Sequence, residues 1–433
     1  MTEADTAGAA VEAAFRADAA VALATVARLT GDIELAEDAI GEAHAIALER
    51  WPVAGIPDRP GAWITTVARN RALDVLRREA KRGDLERASA SALDRLESSP
   101  PMVHPVEDDQ LQLLFTCCHP AFAAEVQLAL ALRFVCGLRV PEIARVLLES
   151  EDAVAKRIGR AKAKLRAAAI PLRLPPPELL DERVTSVLGC VYLLFTEGYA
   201  ATAGDEWVRD DRCDEAVRLA RLLARQLPDE PAPAALAALV LLQDSRRATR
   251  LDPDGRPTLL ADQDRSQWDR AKIAEGLGWL AQARMHEAMS PVAAAYLLQA
   301  SIAAEHARAP SWERTDWPAI VHHYDGLAAV NPSPVVALNR AVAISLADGP
   351  HAAAPLLAAL ADDPRLARSP ALALAQADVA ERMGERAAAM AHLQDAAERT
   401  TTEAERAHIA RRLRELDAVD VDLGTAAPGS PEL

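Results

Sequence analysis

The stretch VPEIARVLLESEDAVAKRIGRAKAKLRAA, residues 140–168, decides how the chain is read. It splits into two short helical segments around the turn ESED. In the first, Pro141 falls near the opening turn, where a missing N–H costs little. Ser150 or Asp152 then caps the second. There, Val154, Ile158, Ala161 and Leu165 recur at helical spacing and must face a core. Lys156, Arg160 and Lys164 recur every four residues and share another face, which Arg157 and Lys162 widen. Two short helices and a tight turn, the second apolar on one side and cationic on the other, form a helix-turn-helix pattern. The apolar side docks on the domain, and the cationic side meets phosphates and base edges in a major groove. A solvated basic helix shares the composition; the preceding helix and turn favour the DNA reading.

Working outward, DDQLQLLFTCCHPAF (108–122) and EVQLALALRFVCG (125–137) complete a small helical unit over 107–172. Upstream, VEAAFRADAAVALATVARLT (11–30) is one helix, stopped by Gly31. A second, IELAEDAIGEAHAIALERW (33–51), starts from the N-cap Asp32. Its apolar stripe is Ile33, Ala36, Ile40, Ala43 and Ala47, with Glu34, Glu37, Asp38 and Glu42 off the stripe. The loop PVAGIPDRPGA (52–62) is too rich in proline and glycine for regular helix. Trp63 then opens WITTVARNRALDVLRREAKR (63–82). Ile64, Val67, Ala68, Val75 and Leu76 face inward, while Arg69, Arg71, Arg77, Arg78, Lys81 and Arg82 crowd the other faces. An aromatic, the amide of Asn70 and these cations suit melted DNA, whose bases are exposed for stacking. Trp63 reads equally well as a core residue.

These segments define a unit at 8–83, a linker at 84–106 containing SASALDRLESSPPMVHP, and the unit at 107–172. The net charge of −16 argues against a nucleic-acid partner when taken alone. The basic residues, however, bunch in 69–82 and 156–173. Salt screens charges beyond about 10 Å, so those patches outweigh the total. Aromatic residues are 4% of the chain and alanine is abundant, which favours an all-α fold of closely packed helices.

Five cysteines, Cys117, Cys118, Cys136, Cys190 and Cys213, make an odd, sparse set that suits a reducing, cytoplasmic setting. Adjacent Cys117 and Cys118 do not follow zinc-motif spacing, so buried structural thiols are expected and no metal or cofactor. The N-terminus lacks a signal-peptide pattern, and no apolar run is long enough to span a membrane. No P-loop, metalloprotease or nucleophile–base motif appears, so no catalysis is assigned.

Residues 178–290 form a helical extension, with helices at 179–197, 212–226, 231–248 and 266–289. RLDPDGRPTLL between the last two carries a Pro-Asp-Gly hairpin signal, the one strand pairing expected. Asp244, Arg246, Arg247, Asp262, Asp264, Arg265, Trp268, Asp269 and Arg270 make a dense polar cluster. It reads as a ligand or partner pocket, or as a salt-bridge network fixing the hairpin to its helices, with the network favoured. His322 and His323 beside Tyr324 and Asp325 read the same way. From 291 to 418 paired helices recur. Gly349 and Ala361, then Gly384 and Ala396, share a spacing of twelve, and the glycines are 35 apart. That period, with a small residue where helices cross, is tetratricopeptide-like. Residues 419–433 have the composition of a disordered tail.

RLTGDIELAEDAIGEAHAIALERW and RPGAWITTVARNRALDVLRR resemble region 2 of the extracytoplasmic-function (group IV) sigma factors. ALALRFVCGLRVPEIARVLL and AVAKRIGRAKAKLRAA resemble region 4 of that family, in the right order. LLFTEGYAAT, LLQDSRRATRLDPDG, LLADQDRSQWDRAKIAEG and PSPVVALNRAVAI are similar to the C-terminal extension of one subgroup. The resemblance implies that core RNA polymerase and promoter DNA are the partners. Glu34, Asp38 and Glu42 would lie on the β′ clamp, with the β flap a further contact. Trp63, Arg69, Asn70, Arg71, Arg77 and Arg78 would lie near the −10 element. Lys156, Arg157, Arg160, Lys162 and Lys164 would lie at the −35 element. One departure is the turn LLESED, where such domains often carry glycine near the position of Leu148. It places Glu149, Glu151 and Asp152 close to DNA phosphates.

The expected function is promoter-specific initiation, with the C-terminal part setting activity and open to an unknown ligand or protein. A ligand-sensing helix-turn-helix regulator that acts without replacing a sigma subunit is the alternative. An enzyme in 178–290 with DNA binding as its regulation is a third reading. The acidic helix favours the first, since a simple repressor has no use for a polymerase-docking surface.

Overall fold

The computed structural model describes residues 20–82, 107–147, 149–168, 170, 172, 180–199, 208–366, 369–400 and 403–424. The linker at 84–106 and the end of the tail, TAAPGSPEL, lie outside them. Among the described residues the elements are helices, and extended pairing is confined to one antiparallel bridge, Leu251 with Pro257. No described helix is long and apolar enough to cross a membrane. The chain divides into two compact units, Met1–Leu227 and Pro228–Leu433. That division falls inside the expected extension at 178–290.

In the first unit, helix α1 covers residues 20–30 and ends at Gly31, whose φ of +74° suits glycine. Helix α2 (Ile33–Ala54) is capped by Asp32, whose carboxylate accepts from the Glu34 and Leu35 amides. Its predicted stripe, Ile33, Ala36, Ile40, Ala43 and Ala47, is buried. The loop expected over 52–62 is much shorter. Helix α2 continues through Pro52, and α3 (Pro60–Arg82) begins three residues before Trp63. Pro52 sits in the last turn, where it removes a single hydrogen bond, and Gly55 at φ +84° ends the helix. Pro60 occupies the first position, where no intrahelical bond is lost. Trp51 and Trp63 meet edge to face at 5.6 Å and brace the elbow.

Four helices follow: α4 (Glu107–Cys117), α5 (Ala124–Phe134), α6 (Val140–Leu147) and α7 (Glu151–Ala167). Ser150 is the cap of α7, accepting from the Ala153 amide. Val154, Ile158, Ala161 and Leu165 are buried against α5 and α6. Helices α8 (Leu180–Tyr199) and α9 (Asp210–Gln226) pack on each other and against this group, α8 on α4 and α5 and α9 on α4. Gly198 permits the α8–α9 approach, since a Cβ there would stand 2.8 Å from the Cys213 backbone nitrogen. The start of the extension thus packs on the two helices that precede the helix-turn-helix.

In the second unit, α10 (Pro231–Asp244) is apolar all round and buried along almost its whole length, as such a pattern requires. It is covered by α11 (Arg270–Ala283) and α12 (Pro291–Arg308). The expected helices 231–248 and 266–289 are shorter, because 247–249 and 265–267 are single 3₁₀ turns. The hairpin signal corresponds to a minimal hairpin, the Leu251–Pro257 bridge around a tight turn. The Asp252 amide donates to the Arg256 carbonyl at 2.8 Å, and Gly255 takes φ +77°.

Helices α13 (Trp317–Val330), α14 (Pro334–Ala347), α15 (Pro350–Ala358), α16 (Ala371–Met383), α17 (Arg386–Arg399) and α18 (Glu403–Gly424) follow, each packed on the next. Such nearest-neighbour packing is that of stacked helix pairs. Gly349 and Gly384 are not at helix crossings. They occupy the turns between α14 and α15 and between α16 and α17, at φ +96° and +77°. Ala361 is exposed in a turn, whereas Ala396 is buried. The glycine spacing therefore records recurring turns that need positive φ, not recurring close contacts. Helix α18 also runs to Gly424, beyond the end expected near 418.

Candidate nucleic-acid interface

On α7, Lys156, Arg160 and Lys164 are exposed along one face, opposite the buried stripe. Lys156 pairs with Asp152 one turn earlier at 2.7 Å, both side chains exposed. Arg160 donates to the Lys156 carbonyl at 3.3 Å. Lys164 donates to the Ala121 carbonyl at 2.6 Å and lies 5.4 Å over the Phe122 ring. Arg157 and Lys162 border the apolar stripe and turn inward instead of widening the outer face. Arg157 pairs with Glu149 at 2.7 Å and Lys162 with Glu37 at 3.0 Å. Glu149 and Asp152, two of the acids expected to approach phosphates, are thus each held by a cation of the same helix. Leu148 lies outside the described residues.

On α3, Asn70, Arg77 and Arg78 are exposed and Trp63 and Arg69 half-buried. Arg78 bonds the Asp74 carbonyl at 3.1 Å. Arg71 reaches back to Glu42 of α2 at 3.2 Å, so a residue expected near DNA and one expected on polymerase pair with each other. The side chains of Lys81 and Arg82 lie outside the described ones. Ala72, which the stripe as read omitted, is fully buried beside Ile64, Ala68 and Leu76.

The acidic face of α2 is divided between solvent and the helix-turn-helix. Asp38 and Glu42 are exposed. Glu37 holds two cations, Arg133 of α5 at 2.8 Å and Lys162 of α7 at 3.0 Å. Arg166 bridges Asp32, at 3.1 Å, and Glu34. Arg28 of α1 pairs with Asp109 of α4 at 2.5 Å, with that carboxylate buried. Sequence reading placed Glu37 and Glu34 on the acidic face but did not identify Arg133, Lys162 and Arg166 as their partners. Pairs separated by about a hundred residues leave no local signal. Beside this seam is a groove of about 540 Å³ lined by Leu23, Ile40, Phe134, Glu37, Asp38 and Arg133, among others.

The polar cluster of the second unit is largely internal. The Asp244 carboxylate is inaccessible and takes Arg247 at 2.6 Å and Lys272 at 2.7 Å. Arg265 is buried and donates to the His306 and Ala309 carbonyls, each at 2.9 Å, and to Thr315 Oγ1 at 3.2 Å. Trp268 Nε1 donates to Thr249 Oγ1 at 3.1 Å, and Asp269 caps α11. These bonds are those of a network fixing the turn to its helices. Burial, then Arg246 and Arg265, hold the His306 pKa down at about 3. His323 lies 3.7 Å from Glu305, and Asp325 pairs with Arg340 at 2.6 Å.

Residues 15–82 match the model of sigma-70 region 2 and residues 114–165 that of sigma-70 region 4. Residues 183–284 match a family of unknown function, DUF6596. An uncharacterized protein of Rhizobium meliloti (strain 1021) is 43% identical over 350 residues, covering 79% of this chain and 81% of that protein. No solved structure matches.

Proposed function

Because the chain belongs to the extracytoplasmic-function sigma factors that carry a C-terminal extension, and so directs promoter transcription as a subunit of RNA polymerase, we propose how its surfaces divide that work. Asp38 and Glu42 of α2, with Glu34 once released from Arg166, dock on the β′ clamp, and the helix-turn-helix unit meets the β flap. Trp63, Asn70, Arg77 and Arg78, with Arg69 and Arg71 behind them, approach the −10 element. Lys156, Arg160 and Lys164 approach the −35 element. Arg157 and Lys162 contribute there only if they leave their carboxylates. The extension sets activity by holding the helix-turn-helix through α8 and α9.

The observation that carries this reading is the two-sided α7. Its buried stripe fixes the helix to the domain, while Lys156, Arg160 and Lys164 stay outside. The ion pairs from Asp32, Glu34 and Glu37 to α5 and α7 support a switched factor. They hold the two DNA-facing helical units together, whereas a promoter presents its two elements apart.

Run-off transcription with core polymerase and the native upstream region tests the reading. A start-site-specific transcript is expected, and Arg160→Ala weakens the upstream footprint. No such transcript from a competent core defeats the proposal. Truncation after Arg173 tests the extension: unchanged promoter-dependent output removes its regulatory role.

A further inference from the structure

Four of the five cysteines, scattered over 74 residues, converge where the helix-turn-helix unit meets the extension. Cys117 ends α4 and Cys118 follows it, Cys136 follows α5, and Cys190 lies on α8. The Sγ atoms of Cys118 and Cys190 are 3.7 Å apart, and Cys117 and Cys136 are close enough to both for their charges to interact. Among the described residues no group of three or more His, Cys, Asp or Glu is arranged to hold a metal ion.

The four sites differ in access. Cys117 and Cys118 are buried, and Cys136 and Cys190 are half-buried. Burial pushes the Cys117 and Cys136 thiols up, and the hydrogen bond to Cys190 followed by burial does so for Cys118. These thiols stay protonated and inert until a neighbouring sulfur is activated. Of the two half-buried thiols, Cys190 is the one whose sulfur already has Cys118 in place behind it.

We propose that Cys118 and Cys190 are a reversible redox pair whose disulfide staples the helix-turn-helix unit to the first helix of the extension. A hydroperoxide transfers one oxygen to the Cys190 sulfur and leaves as water or an alcohol, giving a sulfenic acid. The Cys118 sulfur then attacks that sulfur, the S–O bond breaks, and the hydroxyl departs with the thiol proton as water. Two electrons pass from the thiols to the peroxide, and a dithiol reverses the bond by exchange. The bond closes a loop of 72 residues and ties α4 to α8. Its consequence for transcription rests on the promoter-directing reading above.

The test treats the reduced full-length chain with hydrogen peroxide, blocks free thiols and maps peptides. A Cys118–Cys190 linked peptide, absent after dithiothreitol, is expected. It should vanish in Cys190→Ser and persist in Cys136→Ser. No linkage, or linkage of Cys190 to Cys117 or Cys136 instead, overturns the assignment. In parallel run-off reactions the oxidised wild type should lose output several-fold and regain it with dithiothreitol, while Cys190→Ser holds its output under peroxide. Equal output from the linked and reduced chains overturns the staple's effect. A reduced chain that gives no promoter transcript counts against the sigma assignments alone, because the peptide map does not depend on them.

Discussion

Lys162 of α7 meets Glu37 of α2 at 3.0 Å across 125 positions of sequence, and Arg133 shares the same carboxylate. The basic helix α7 and the acidic helix α2 are thereby joined through one partly buried acid. Charge-assisted bonds of this kind are stronger than neutral ones, and removing the shared acceptor takes a carboxylate from two cations at once.

A double-mutant cycle of Glu37→Gln and Lys162→Gln should give a coupling of about 0.5–3 kcal/mol, read from hydrogen exchange of the α7 amides. Raising salt should shrink it only partly, since the pair is shielded from solvent. Strict additivity of the two substitutions would show that the contact does not hold the helices together.

Arg160→Ala and Lys162→Ala should separate contact with DNA from contact within the chain. Arg160 is exposed, so its loss should lower promoter affinity of the holoenzyme and reduce the salt slope by about 1. Lys162→Ala should loosen α7 in the free chain, where Lys162 is held by Glu37. Identical salt titrations for wild type and Arg160→Ala would refute the assignment.

Gly276 and Gly278 lie two residues apart on α11 and should respond in opposite senses to alanine. A Cβ at Gly276 would come within 2.9 Å of Leu242 Cγ, whereas one at Gly278 meets nothing within 4 Å. Gly276→Ala should cost about 1–3 kcal/mol through overpacking. Gly278→Ala should gain up to about 1 kcal/mol from helix propensity. Thermal melts that move the same way for both would contradict the α10–α11 packing.

The second unit should lose stability in acid through His306. Its folded pKa, about 3, lies below the ordinary value of 6.5, so the unfolded chain takes the proton first. The contribution is complete above pH 6.5 and is lost as the pH falls from there toward 3. The slope for one proton is at most about 1.4 kcal/mol per pH unit. His306→Gln should flatten it, and denaturant melts at pH 7 and 5 with equal differences for both chains would rule it out.

The helices and their buried faces were legible residue by residue. Ile33, Ala36, Ile40, Ala43 and Ala47 on α2, and Val154, Ile158, Ala161 and Leu165 on α7, follow from periodicity because burial of a helix face is a local property of spacing. The outward Lys156, Arg160 and Lys164 followed from the same geometry. Proline positions misled at 52 and 60, since proline is excluded from helix interiors and not from their ends.

Sequence alone therefore determined that this chain is helical and that its region 2 and region 4 segments come in order. It also determined which side of each helix is apolar. Tertiary structure decided which charges are free. Arg157 and Lys162, which the sequence does not separate from Arg160, are held in ion pairs by Glu149 and Glu37. It also decided that Cys118 and Cys190 are neighbours and that α8 and α9 pack on α4 and α5, the helices that precede the helix-turn-helix. The physical reason is range: helical period is written in steps of three and four residues, whereas an ion pair or a thiol contact depends on where distant turns bring the chain.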